Sequence, residues 1–115
     1  MARIRHLAIV TENRERLVEF YTNAFDMKQI DGVGPAIYLT DGYINLAIIQ
    51  KRPRNKEGLY HFGFEVENID ALRPSFEELG AASKVEKRPK NREAEYRVHD
   101  PDGNLIDLSS HGWPA

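Results

Sequence analysis

Two histidines, His6 and His61, occupy matching places in two similar stretches of this chain. The first stretch is His6-Leu7-Ala8-Ile9-Val10-Thr11-Glu12-Asn13 and the second is His61-Phe62-Gly63-Phe64-Glu65-Val66-Glu67-Asn68. An acidic residue, Asp107, lies within the last apolar run, and Asn45 lies within an earlier one. Two imidazoles and one carboxylate make a three-ligand set that leaves positions open on a divalent metal, where substrate or water can bind and be polarised. That chemistry requires the four side chains to share one face of one structure. The competing reading takes them singly, with His6 as a polar residue near the terminus, His61 as a satisfied histidine beside a core strand and Asp107 as a carboxylate facing water.

The elements that must position them can be read from periodicity. The two similar stretches keep a constant offset of 55 residues, from His6 to His61 and from Asn13 to Asn68. The register continues into Leu17 and Leu72, then Tyr21 and Phe76. Two copies are too few for a solenoid, so the expectation is one domain, residues 1–115, built from paired modules of about 1–53 and 57–111. Residues 3–10 alternate as a strand, and Leu17, Phe20, Tyr21, Ala24 and Phe25 mark one face of a helix that Thr11 or Asn13 can cap. Short strands are expected at 27–33, 35–40 and 43–50, punctuated by Gly32, Gly34-Pro35 and Asp41-Gly42. The second copy predicts a strand at 60–66, a helix through Leu72, Phe76 and Leu79 ending at Gly80, and strands near 83–89, 94–99 and 104–109. Pro74 belongs in a first turn, which would start that helix near Ala71 or Leu72.

The pattern is βαβββ written twice, an α+β fold with a curved, mostly antiparallel eight-stranded sheet around a cleft and helices on its outer face. Leu7 and Ile9, Phe62, Phe64 and Val66, Ile44, Leu46 and Ile48, and Ile106 and Leu108 suit the helix side. His6, His61, Asn45 and Asp107 then project from the uncovered face. On this reading Asn45 and Asp107 hold near-equivalent places on the terminal strands of the two modules. Asn45 adds a weak carbonyl ligand or a bond to substrate. Glu65 points to the side of His61 and could move a proton, as could His99; Tyr96 joins them as a catalytic candidate, and Tyr96, Tyr43 and Tyr60 are candidates to line the cleft. The weaker alternative for each is a packed or solvent-facing residue.

Other classes are disfavoured. The 115 residues carry 16 Lys+Arg against 18 Asp+Glu, a formal net charge of -2, which speaks against a nucleic-acid binder. Cysteine is absent, so thiolate metal sites, cysteine nucleophiles and disulfides are excluded. No phosphate-binding glycine loop or nucleophile elbow occurs. No apolar run is long enough for a membrane span and the start does not read as a signal peptide, so the expectation is a cytoplasmic protein without a membrane partner. Two basic stretches look alike, Lys51-Arg52-Pro53-Arg54-Asn55-Lys56 and Lys87-Arg88-Pro89-Lys90-Asn91-Arg92, but their offset of 36 breaks the repeat. They read either as a solvated linker and loop or as a basic rim for an anionic substrate.

These residues together resemble the vicinal oxygen chelate superfamily, which includes glyoxalase I, bleomycin-resistance proteins and extradiol dioxygenases. The resemblance rests on Ile4-Arg5-His6-Leu7-Ala8-Ile9-Val10, Leu17 with Phe20-Tyr21, Tyr60-His61-Phe62-Gly63-Phe64-Glu65-Val66 and Asp100-Pro101-Asp102-Gly103-Asn104-Leu105-Ile106-Asp107-Leu108. It implies paired modules around a metal, with His6 and His61 at the two histidine-ligand positions, Asp107 where the family usually has a glutamate, and frequently a homodimer. It also implies that Asn45 falls where glyoxalase I-like members carry a second glutamate, a departure that disfavours glyoxalase I chemistry. The function expected is a metalloenzyme using Fe(II), Mn, Ni or Zn on a small oxygen-chelating substrate, by dioxygenase, lyase or isomerase chemistry. The alternative is a metal-free binding protein, resembling bleomycin-resistance proteins, that sequesters a small molecule.

Overall fold

A computed structural model describes all 115 residues. The first module runs β1 (Arg3–Thr11), α1 (Arg14–Phe25), β2 (Lys28–Ile30), β3 (Ile37–Thr40) and β4 (Asn45–Gln50). The second runs β5 (Gly58–Glu65), α2 (Ile69–Glu78), β6 (Glu86–Lys87), β7 (Tyr96–His99) and β8 (Leu105–Ser109). The expected βαβββ order is therefore present twice. The strands predicted at 27–33 and 83–89 shrink to three and two residues. Both are sheet edges with a single partner strand, and Gly32, Gly34-Pro35 and Pro89 interrupt the extended backbone around them.

Matching residues of the repeat cap the two helices. Asn13 accepts from the Arg16 amide at 3.1 Å and Asn68 from the Ala71 amide at 3.2 Å. The second helix starts at Ile69, earlier than Pro74 suggests, and holds that proline in its interior. The Asn68 cap and burial of Ile69 outweigh the one intrahelical bond that Pro74 cannot donate. Gly80, at φ 85°, ends the helix in the left-handed region.

All eight strands form one sheet in the order β2-β3-β4-β1-β5-β8-β7-β6. The modules join within the chain, where β1 and β5 pair antiparallel with His6 opposite Gly63 and Ala8 opposite His61. Each module's last strand returns to lie parallel to its first, β4 on β1 and β8 on β5. The remaining pairs are antiparallel.

Three apolar clusters hold this arrangement. Leu39, Leu46, Ile48 and Met27 pack with Leu7, Ile9 and Leu17 under α1. Val66, Ile69, Val98 and Leu108 pack with Phe64, Leu72 and Phe76 under α2. On the opposite, concave side Ala8, Tyr38 and Ala47 meet Ile30 and Ile49. Both helices thus cover one face, and the other is left for the cleft.

Candidate functional site

The four central strands carry His6, Asn45, His61 and Asp107, and all four side chains are buried on the concave face. Ligand atoms of His6, His61 and Asp107 lie within 4.8 Å of one another. The His6 and His61 Nε2 atoms are 3.1 Å apart, and His61 Nε2 is 3.2 Å from Asp107 Oδ2. The two strand-paired halves thus deliver two imidazoles and a carboxylate to one point.

Asn45 fixes the tautomer of His6. Its Nδ2 donates to the Pro114 carbonyl at 3.0 Å, and a carbonyl only accepts, so its Oδ1 faces His6 Nδ1 at 2.8 Å. Oδ1 must receive the Nδ1 proton, which leaves the His6 Nε2 lone pair bare and aimed at the shared point. The Trp113 indole stacks on the His6 ring, with centroids 5.0 Å apart and planes 3° from parallel. Gly63 permits this, since a Cβ there would lie 2.6 Å from the indole. With the His6 Nε2 lone pair bare, His61 Nε2 must carry the proton that faces His6 Nε2 and Asp107 Oδ2, and the unpartnered Nδ1 of His61 is where that proton would move if an ion took the shared point. Burial lowers the pKa of both rings, that of His61 to about 4, so both are neutral near pH 7, the form that binds metals. This donor set fits a divalent ion.

The strand register corrects one expectation. Asn45 pairs with His6, whereas Asp107 pairs with Gly63, the repeat equivalent of Ala8. Ala8 pairs with Ala47, so the counterpart of Asp107 is Ala47. Asn45 sits one strand level away and supports His6. The same register opposes Tyr38 to Ala47 and Arg97 to Asp107. A phenol and a methyl in the first module thus stand where the second has an ion pair, and the acidic ligand comes from the second module alone.

Arg97 is the main residue that sequence reasoning missed. Its Nε donates to Asp107 Oδ1 at 2.6 Å, and both are buried. A signal was present, because Tyr96 and Val98 suit the helix side and their alternation puts Arg97 beside Asp107. Trp113 and Glu93 lie outside regular elements, where no periodicity marks them. The Glu93 carboxylate oxygens are buried without a hydrogen-bond partner beside Tyr38, whose hydroxyl donates to the Val33 carbonyl at 2.7 Å. Burial raises the Glu93 pKa, more than the nearby Tyr38 hydroxyl lowers it.

A cavity of about 300 Å³ opens over this cluster, bounded by His6, His61, Asp107, Arg97, Tyr38 and Glu93, among others. Tyr60 also lines it, edge-on to the His61 ring at 4.7 Å. The other sequence candidates lie elsewhere. Glu65 pairs with Arg5 at 3.3 Å, and the Tyr43 ring lies under the Arg5 guanidinium. Tyr96 packs on the α2 side beneath Arg73, and His99 Nδ1 bonds Ser83 Oγ at 2.9 Å. None of these four lines the cavity.

Known proteins share this architecture. A hypothetical protein of Bacillus halodurans C-125 superposes with a TM-score of 0.76 at 17% identity, covering 99% of this chain and 97% of that one. A Streptomyces coelicolor methylmalonyl-CoA epimerase in complex with 2-nitronate-propionyl-CoA gives 0.68 at 22% identity, covering 92% and 94%. The 2,3-dioxygenase LapB of Pseudomonas sp. KL28 gives 0.69 at 21% identity, covering 94% of this chain but 40% of the dioxygenase. At these identities the likeness is one of fold. No curated protein matches the sequence. The family model of the Glyoxalase/Bleomycin resistance protein/Dioxygenase superfamily matches residues 3–108, nearly the whole chain, and the protein belongs to that superfamily.

Proposed function

We propose that this chain is a metal-dependent enzyme acting on a small substrate that chelates through two neighbouring oxygens, by dioxygenase, lyase or isomerase chemistry. The observation that carries the reading is the meeting of two imidazoles and a carboxylate within 4.8 Å, lining a cavity large enough for a small molecule. His6, His61 and Asp107 would hold a divalent ion such as Fe(II), Mn, Ni or Zn. When bound, such an ion supplies Lewis-acid polarisation of substrate oxygens.

The rest of the work belongs to the chain. Asn45 orients His6, and Arg97 orients the Asp107 carboxylate by holding its other oxygen. Tyr60 and Tyr38 form walls that narrow the cavity. Glu93 is the proton-transfer group of this proposal, because its buried, unpartnered carboxylate lines the same cavity and its raised pKa brings it closer to neutral pH. Glu65, His99, Tyr96 and Tyr43 have no role in it, since they lie outside the cavity. The proposal extends to a cytoplasmic homodimer; light scattering on the purified protein reads the subunit count. No helix is long and apolar enough to cross a membrane.

The Arg97–Asp107 pair favours a second reading, a metal-free protein that sequesters a small molecule. The guanidinium already neutralises the only carboxylate of the donor set, so the site is tolerable without an ion. Elemental analysis of anaerobically purified protein, followed by titration with Fe(II), Mn, Ni and Zn, separates the two. Stoichiometric uptake that is lost in the folded double variant His6→Ala/His61→Ala supports the enzyme. Failure to take up any of the four ions supports the binder. Catechol cleavage, methylglyoxal–thiol isomerisation and acyl-thioester epimerisation are the activities to assay on loaded protein.

A further inference from the structure

The two lookalike basic stretches lie far apart in sequence and outside the repeat, yet they converge on the same cavity. Arg52 and Asn55 of the first, and Arg88, Asn91 and Arg92 of the second, line it together with the metal-ligand candidates. Their neighbours Arg54, Lys56, Lys87 and Lys90 do not line it. The two segments contribute the same residue types, arginine and asparagine, from the β4–β5 linker and the β6–β7 loop.

Arg52, Arg88 and Arg92 make no ion pair, whereas Arg97 is paired with Asp107. The one other carboxylate in the cavity, Glu93, makes no hydrogen bond or ion pair with any of them. Burial, then repulsion from Arg97, works against the charge on Arg88. Cations that line one cavity and make no ion pair mark a place where an anion is to arrive, and arginine is suited to carboxylate and phosphate oxygens because it presents paired donors.

We propose that the substrate carries an anionic group, a carboxylate or a phosphate, at the end remote from its chelating oxygens, and that Arg52, Arg88 and Arg92 bind that group at the cavity mouth. This deepens the enzymatic reading, which supplies the chelating end, but anion binding itself is measurable without metal. The substrate class is thus a small acid with two functional ends, one matched to His6, His61 and Asp107 and the other to the arginine rim.

The test is calorimetric titration of chelator-treated protein with inorganic phosphate, with succinate, and with the neutral diamide of succinate. The expected result is saturable binding of phosphate or succinate and none of the diamide. Preference between the two acids identifies the group. Arg52→Gln, Arg88→Gln and Arg92→Gln should each weaken that binding about tenfold, the loss of one charge-assisted contact of about 1.4 kcal/mol. Arg54→Gln and Lys56→Gln remove the same charge from the same surface and should leave it unchanged. Absence of anion binding, or equal weakening by Arg54→Gln and Lys56→Gln, overturns the inference. Metal titration of the same variants keeps the two readings apart. Metal uptake without anion binding sinks the rim alone, and anion binding without metal uptake sinks only the enzymatic reading.

Discussion

Replacing Asn45 by alanine tests whether the His6 ring is held ready for a metal. The side chain is fully buried and spans His6 Nδ1 at 2.8 Å and the Pro114 carbonyl at 3.0 Å. Pro114 is exposed, so its carbonyl can turn to water after the change. His6 Nδ1 is enclosed, and its proton would lose its acceptor, at a cost of about 1–3 kcal/mol. The ring can recover by moving the proton to Nε2, which removes the lone pair from the metal site. Loss of such an orienting contact typically weakens metal affinity about 10–100-fold. Asn45→Asp separates orientation from packing, because it keeps an acceptor opposite Nδ1 and strengthens it with charge, while losing the donor to Pro114. Competition between protein and a chelator of known Zn or Mn affinity reads the outcome. The single tryptophan, Trp113, stacked on His6, gives a fluorescence signal of ring displacement. The alanine variant should lose affinity and the aspartate variant should retain or exceed the parent's. Equal losses in both, or none in the alanine variant, would show that Asn45 does not set the tautomer.

Three further outcomes follow from packing and burial. Gly63→Ala puts a methyl 2.6–2.8 Å from two atoms of the rigid Trp113 ring, which should cost about 1–3 kcal/mol in denaturant unfolding and shift the tryptophan emission. Ile48→Ala empties a fully buried position under α1 and should cost about 2–5 kcal/mol, while unfolding by circular dichroism remains a single transition because the sheet is continuous. Glu93→Gln removes an unpartnered buried charge and should raise the melting temperature at pH 7. The sign follows from the raised pKa: protonated Glu93 stabilises the fold at acid pH and that contribution is lost as pH rises through its folded value, so the gain from Gln should fade below the ordinary carboxylate range. An identical gain at acid and neutral pH would refute this account.

The sequence made the duplication legible because both copies keep a histidine and a helix cap at the same offset, His6 with His61 and Asn13 with Asn68. Alternation with apolar neighbours then put the donors on one face, since a strand's side-chain period is two. It cannot reveal register between strands distant in sequence, so alternation alone matches Asn45 to Asp107 where the strand pairing gives Ala47. Nor does alternation extend into Asn91–Glu95 or Gly112–Pro114, where turns decide which way Glu93 and Trp113 face. The proton-transfer candidates Glu65 and His99 illustrate the same limit. Each sits at the end of its strand, where the sheet has already carried the side chain beyond the cavity and to a partner of its own, Arg5 or Ser83.

The join between β1 and β5 has a consequence for the chain as a working unit. His6 arrives from one side of that seam, and His61 and Asp107 from the other. Neither half owns a complete donor set. Any ion that grips all three atoms therefore acts as a rivet across the seam, and its binding energy is added to the adhesion of the two halves. A chain cut between Gln50 and Gly58 would hold together more tightly with metal than without it, so association of the two fragments would itself report occupancy of the site.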